Sequence, residues 1–334
     1  MKIAMVVGSY PPDICGVGDY TYCLVKALKI YECDIEVITN YKWSIKEFKI
    51  IEKKLKGFDI VHIQYPSIGY GYSLLPQIFS GMPNVILTLH EISQAKILRK
   101  ISLIPFFCQA KNIIYTNDFE RNYVSKLNDL FNINTFVIPI GSNIPFMNIE
   151  KKDKKKIVSF GLIRKNKGLE NVIALAQEIE RRKLPYIIQI IGQVEKKQIE
   201  YFNEVKNKDA CIEWKIGCNE NDVAQLLAEA MFGYLPFPDG ASERRGSLIA
   251  LLLNKVIVIT QKGKFTTCEM EKSMLFADSI EGVLQCIKEV EENLELKKNI
   301  IKNANEYIKK FSWGSIADRH FKVYKQIYYR KGYI

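Results

Sequence analysis

Ile157-Val158-Ser159-Phe160-Gly161-Leu162-Ile163-Arg164-Lys165-Asn166-Lys167-Gly168-Leu169 is the stretch that decides the fold. Ile157 to Gly161 is short, apolar and rich in β-branched residues, which predicts a buried strand. Leu162 to Gly168 predicts a turn ending on Lys167-Gly168. From Leu169 to Arg182, residues Leu169, Val172, Ile173, Ala176 and Ile179 recur at the 3.6-residue period of an amphipathic helix. Strand, tight turn and helix in that order open a βαβ unit. Further strands are predicted at 186–192, 233–236 and 256–260, with a helix at 221–230 and another entered at Leu248.

The same pattern runs through the first half. A strand at 2–7 is followed by the turn Asp13–Tyr20 and a helix at 20–29. Strands follow at 35–39, 59–64, 85–90 and 112–116. Short apolar strands alternating with helices predict an α/β fold, each sheet parallel and covered on both faces. The chain is thus expected to hold two Rossmann-like doubly wound domains, 1–148 and 157–310, joined by a lysine-rich linker at 149–156 and facing each other across a cleft. Ligands of such sheets bind beyond the carboxyl ends of the strands, and a cleft between two of them is the natural site.

Bulk properties fit this reading. The 334 residues suffice for two domains, and 48% hydrophobic with 25% charged residues is ordinary for a globular chain. No apolar run approaches the ~20 residues needed to span a bilayer. The eight cysteines form no CxxC pair, so reduced thiols and a cytoplasmic location are expected. The net charge of +11 is unevenly placed: residues 297–334 alone carry 10 basic and 2 acidic groups. There, Phe321–Lys331 mixes cations with tyrosines, a composition suited to an anionic membrane surface, though most charge runs are solvated helix faces. The stretch Gln94–Phe107 is also basic and apolar, and reads equally as membrane-facing surface or as core. No helix-turn-helix, zinc-finger or RNA-binding signature is present, so nucleic acid is not an expected partner.

A second segment concerns anions. Phe237-Pro238-Asp239-Gly240-Ala241-Ser242-Glu243-Arg244-Arg245-Gly246-Ser247 joins an apolar strand to an apolar helix. Helix N-termini attract anions through free amides and partial positive charge, and arginine adds bidentate donors for phosphate. Gly16-Val17-Gly18 offers a second tight, glycine-rich turn, at which Asp19 either caps the following helix or meets a hydroxyl. His90 ends an apolar strand, where ligands of this fold class gather. His62 and His320 read as structural.

With these pieces in place, the chain resembles the family 4 retaining glycosyltransferases of GT-B fold over nearly its whole length. The resemblance rests on Tyr10-Pro11-Pro12 with Gly16–Tyr20, Thr88-Leu89-His90-Glu91, Val137–Asn143, Gly161–Gly168, Gly246–Thr260 and Phe311-Ser312-Trp313. It implies that 311–334 forms a helix crossing back to the first domain. It also implies a nucleotide-diphosphate sugar as donor, bound by the second domain, and a carbohydrate, lipid-linked or other cell-envelope acceptor on the first. Two departures stand out. Leu162 occupies the place where many members carry arginine. Ala241 and Ile249 fall near the places of a glutamate pair, so the chain resembles a variant lacking that pair, with Asp239 or Glu243 as substitutes.

The expected catalytic residues are His90, Arg164 and Lys167. The expected donor-binding residues are Gly16, Gly18, Asp239, Glu243, Arg244, Arg245, Gly246 and Ser247, with Asp19 on the acceptor side. By the resemblance, His90 contacts the donor sugar or its phosphate. No Asp-x-Asp pair sits in a strand-end loop, so neither metal nor other cofactor is expected, and fixed cations with helix amides would stabilise the departing diphosphate. Other readings remain open at this point: a non-catalytic nucleotide-sugar binder or scaffold subunit, a nucleotide-sugar epimerase, or an NAD-dependent oxidoreductase. The last is weakened because position 21 is Thr where a dinucleotide fingerprint needs its third glycine.

Overall fold

The computed structural model describes residues 1–13, 15–207 and 211–330. The chain divides into two compact units, Met1–Gly141 with Phe311–Ile334, and Ser142–Lys310. Among the described residues each unit contains one six-stranded sheet in which every pairing is parallel.

The first sheet comprises β1 (Lys2–Val6), β2 (Asp34–Ile38), β3 (Ile60–Tyr65), β4 (Val85–Leu89), β5 (Asn112–Tyr115) and β6 (Asn134–Val137), in the spatial order β2-β1-β3-β4-β5-β6. Period-two alternation sorts its side chains. Ala4, Val6, Val61, Ile63, Leu87 and Leu89 enter one core layer, with Trp43, Phe79 and Phe106. Ile3, Met5, Ile60, Ile86 and Ile114 enter the opposite layer, under the helices Gly16–Leu28 and Trp313–Arg330.

The second sheet comprises β7 (Asp153–Ile163), β8 (Ile187–Val194), β9 (Ile212–Ile216), β10 (Ala230–Leu235), β11 (Ile257–Thr260) and β12 (Leu275–Phe276), in the order β12-β11-β10-β7-β8-β9. The chain moves outward from β7 to β9, then returns to add β10 on β7's other side. The strand order therefore reverses between β7 and β10, and the carboxyl ends of these two strands open a crevice. The helix Leu169–Arg181 buries Leu169, Val172, Ile173, Ala176 and Ile179, the stripe expected from its sequence.

Several expectations are corrected. The lysine-rich linker at 149–156 is in part strand. β7 begins at Asp153, with Asp153 opposite Ala230 and Lys156 opposite Ile187. Just before it, the Lys152 ammonium donates to the carbonyls of Ala228 (2.5 Å), Ala230 (2.9 Å) and Asn254 (2.9 Å). These carbonyls lie at the C-terminal ends of the helices Glu220–Glu229 and Gly246–Leu253, where a cation is favoured. β6, β9 and β12 lie outside the expected strands. The tyrosine-rich C-terminal stretch is amphipathic: Val323, Tyr324 and Ile327 are buried, Phe321 stacks on Tyr31 with ring centroids 4.2 Å apart, and Lys322, Lys325, Tyr329 and Arg330 are exposed. Lys322 pairs within its own helix to Asp318 (2.7 Å), and Lys331 lies outside the described residues.

Candidate functional site

In the second unit, the crevice between β7 and β10 is a cavity of about 520 Å³. Its floor is the carboxyl end of β7 (Ser159 to Ile163) and the chain leaving β10 (Leu235 to Phe237). Its rim includes Lys167, Arg244, Arg245, Gly246 and Ser247.

Two close approaches shape it. Gly168 sits at φ +79°, and a Cβ there would lie 1.9 Å from the Pro236 carbonyl oxygen. Only glycine meets both conditions, and it starts the helix Leu169–Arg181 directly beside the strand end. That placement carries Lys167 to the rim. Gly246 opens the helix Gly246–Leu253 with nothing within 4 Å of its Cβ position, and the first-turn amides of Gly246 and Ser247 make no hydrogen bond among the described residues.

The cations differ in their commitments. Arg245 donates to the Asp239 carboxylate and lies over the Phe237 ring, 4.7 Å from its centroid. Burial is the main cause that lowers its guanidinium from its ordinary value, with Asp239 acting in the opposite direction. Arg244 lies over the Phe265 ring at 4.6 Å. Arg164 forms an ion pair with Glu195 at 3.4 Å. Lys167 makes no hydrogen bond or ion pair among the described residues. Burial, then Arg245 and Arg164, hold its ammonium below its usual range. A half-buried ammonium that two guanidiniums repel more strongly than Asp239 and Glu195 attract it is a site short of negative charge.

The acidic residues are placed differently from expectation. Glu243 does not line the cavity: its carboxylate accepts from Lys310 (2.8 Å) and from the Tyr307 hydroxyl (3.2 Å). Asp239 is neutralised by Arg245. Ala241 and Ile249 are both buried and apolar. Leu162 lines the cavity. At the cavity's other end lie Asn143, Cys218 and Glu220, with Asn143 Nδ2 donating to Glu220 (3.2 Å). Asn143 ends the Val137–Asn143 motif, whereas no local motif marked Cys218 or Glu220.

Gly16, Gly18, Asp19 and His90 belong to the first unit. The helix begins at Gly16, so both glycines lie in its first turn rather than in a preceding loop. Neither has positive φ. Gly18 is required by proximity, since a Cβ would lie 2.6 Å from the Ser9 carbonyl oxygen. Asp19 is not the cap: Cys15 holds that position, and the Asp19 amide donates to its carbonyl (2.9 Å). The Asp19 carboxyl has no partner among the described residues, and burial raises its pKa.

His90 follows β4. Its Nε2 lies 2.9 Å from Gln64 Oε1 and its ring meets Tyr20 edge-on at 4.8 Å. Burial, then the His320 ring, push its pKa down to about 3, so the imidazole is neutral and Nε2 donates to Gln64. The next loop is pinned by Glu120, a buried carboxylate that accepts from the amides of Ile92 (3.0 Å) and Ser93 (2.8 Å) and from Ser93 Oγ (2.6 Å). Glu120 escaped the sequence reading because its partners lie 27 and 28 positions away. Beneath His90, His62 bonds Tyr324 and Thr88 hydroxyls at 2.7 Å each, and His320 Nδ1 donates to the Ile316 carbonyl (2.8 Å). His62 and His320 are thus satisfied core residues.

Among the described residues no cluster of three or more His, Cys, Asp or Glu is placed to hold a metal ion, and no helix is long and apolar enough to cross a membrane.

No protein-family model and no curated protein sequence matches the chain. Solved structures do. Anabaena HepE in complex with UDP and glucose superposes with a TM-score of 0.70 at 13% identity, covering 98% of this chain and 100% of that one. Sucrose-phosphate synthase from Thermosynechococcus elongatus gives 0.69 at 16% identity, covering 99% and 100%. An alpha-glucosyltransferase in complex with UDP-glucose and DNA containing an abasic site gives 0.68 at 13% identity, covering 97% and 98%. The fold is therefore that of the GT-B glycosyltransferases, with two Rossmann-like units, each built on its own six-stranded sheet.

Proposed function

We propose that this protein is a glycosyltransferase that moves a sugar from a nucleotide-diphosphate sugar to a hydroxyl of a glycan, lipid-linked or other cell-envelope acceptor. It does so with retention of anomeric configuration and without a metal. One observation carries the donor half of this reading. At the point where strand order reverses, an unpaired, half-buried Lys167 meets Arg244, Arg245 and the open amides of Gly246 and Ser247. This arrangement suits a diphosphate, whose oxygens accept from every one of these donors. The bound UDP in the complex of HepE, which shares the fold, is consistent with it.

In the reaction, the bond from the sugar's anomeric carbon to the β-phosphate oxygen breaks, and its electrons leave as negative charge on the diphosphate. Lys167 and Arg245 stabilise that charge where it grows, supported by Arg244 and by Arg164 across its ion pair with Glu195. The acceptor hydroxyl attacks from the face being vacated and passes its proton to the departing phosphate oxygen, so no protein nucleophile is required. With its one N–H committed to Gln64, neutral His90 offers Nδ1 as an acceptor to a hydroxyl of the donor sugar, and Asp19 is suited to accepting a hydrogen bond from the acceptor.

A second reading has its own support. Asp239 and Glu243 are both engaged by cations, and Ala241 and Ile249 are apolar, so among the described residues none of these four positions offers a free carboxylate to the donor sugar. That favours a nucleotide-sugar binder without turnover. A panel of nucleotide sugars, followed by thermal stabilisation and by nucleotide release in EDTA, separates the two. A native-state ligand raises the unfolding temperature by mass action. Stabilisation with EDTA-resistant release supports the transferase. Stabilisation without release, with acceptors supplied, supports the binder. No stabilisation by any nucleotide sugar refutes both.

A further inference from the structure

The first unit carries an apolar surface that its own core does not use. Two short helices, Ile97–Ser102 and Ile104–Gln109, abut at Leu103. Leu103, Phe106 and Phe107 point into the core and hold the pair on the unit. Ile97 (71% exposed), Leu98 (78%), Ile101 (55%) and Ile104 (51%) point outward. Positions 97, 101 and 104 recur at the spacing of one helical face, with 98 beside it. The segment Leu75–Phe79 lies alongside, joined where Gln77 Nε2 donates to the Ser102 carbonyl (3.1 Å), and adds exposed Leu74 and Ile78. Isolated exposed aliphatics are ordinary, whereas a run of them is a contact surface.

Within this run the charge is of one sign. Lys96, Arg99 and Lys100 interleave with the aliphatics, and no acidic residue occurs between Glu91 and Asp118. Lys96 and Arg99 form no ion pair among the described residues, while Lys100 donates to the Tyr123 hydroxyl (2.7 Å). Aliphatic tips flanked by unpaired cations match an interface with acyl chains below and anionic headgroups above. The other basic candidate, the C-terminal helix, has its apolar side buried in the core.

We propose that the Lys96–Ile104 surface docks this protein on an anionic lipid bilayer, with Ile97, Leu98, Ile101 and Ile104 entering the headgroup–acyl boundary and Lys96, Arg99 and Lys100 meeting lipid phosphates. This deepens the acceptor side of the function proposed above, and it fails or holds separately, because vesicle binding is measured without nucleotide.

The test is flotation of the full chain with vesicles of phosphatidylcholine alone or with about 30% phosphatidylglycerol, a composition that sets up a negative surface potential. Binding is expected to the anionic vesicles and to weaken with added salt. Lys96→Gln with Arg99→Gln should lower partitioning about 25-fold, at roughly fivefold per cation. Leu98→Ser with Ile101→Ser should lower it at least about tenfold, since buried methylenes anchor the segment. All four side chains are exposed, so unfolding temperatures and nucleotide binding should stay at wild-type values. Lys322→Gln with Lys325→Gln should leave partitioning unchanged. Equal binding of wild type and both patch variants overturns the proposal. So does a wild-type dimer, seen by sedimentation velocity, that the patch variants dissolve while lipid binding is absent.

Discussion

Lowering the pH should unfold the first unit well before ordinary acid denaturation. The chain's three histidines all sit on one side of its sheet, and burial depresses each: His90 to about 3, His320 to about 4, and His62 well below its ordinary value. His62 and His320 are fully buried, with ring centroids 5.5 Å apart. In the unfolded chain each would titrate near 6.5. Below that pH the unfolded chain binds protons that the folded unit excludes. The stability these groups contribute is thus complete above about pH 6.5 and is lost as pH falls toward the depressed values. Each group costs about 1.4 kcal/mol per pH unit, so the two fully buried rings alone cost about 4 kcal/mol by pH 5, and His90 adds up to half as much again. That approaches the whole stability of an ordinary domain, about 5–15 kcal/mol. Urea unfolding followed from pH 7.5 to 4.5 reads the slope directly, and histidine ring chemical shifts report the individual pKa values. A slope of about two protons or more between pH 6 and 5 is expected. A flat profile, or rings titrating near 6.5, would refute the buried neutral network.

Two substitutions probe the second unit. Lys152→Met removes the one donor shared by three helix-terminal carbonyls. With charged hydrogen bonds at about 1.5–3 kcal/mol each, offset by relief of ammonium burial, the expected net loss is about 2–4 kcal/mol, measurable by calorimetry. A change under about 0.5 kcal/mol, the size of an ordinary surface substitution, would count against the carbonyl cage. Gly168→Ala places a Cβ against the Pro236 carbonyl at φ +79°. It should cost about 2–4 kcal/mol and weaken nucleotide binding by displacing Lys167. Unchanged melting and unchanged binding together would contradict the described turn.

The fold was legible wherever local chemistry and tertiary need agree. Ile157–Gly161, Gly168 and the stripe from Leu169 to Ile179 read as strand, turn and helix because burial on both sheet faces leaves continuous apolar runs. Asn134–Val137 and Leu275–Phe276 escaped because they are short sheet-edge strands with little apolar signal. Asp153–Lys156 reads as linker because its strand character comes from pairing with Ala230 and Ile187, not from its lysines. The glycine-rich start was misjudged by a few residues: Gly18 serves a close approach to Ser9 inside the helix, not a left-handed loop. At the candidate site, Lys167, Arg244, Arg245, Gly246 and Ser247 were legible because anion binding at a helix start is a local pattern. Glu243 was misplaced because its carboxylate is claimed by Lys310, 67 positions on. Cys218 and Glu220 reach the cavity only through the sheet order, and join there Asn143, the end of the Val137–Asn143 motif.

The proposed function requires the crevice between β7 and β10 to bind the diphosphate of a nucleotide sugar, with Lys167 as its uncommitted cation. Calorimetric titration of the best-stabilising nucleotide sugar, in EDTA, into wild type and Lys167→Met tests it directly. Wild type should saturate at one site, and the variant should bind about 10–100-fold more weakly, the equivalent of one charge-assisted hydrogen bond to phosphate. Equal affinity of the two proteins, or no heat with any nucleotide diphosphate, would contradict the account.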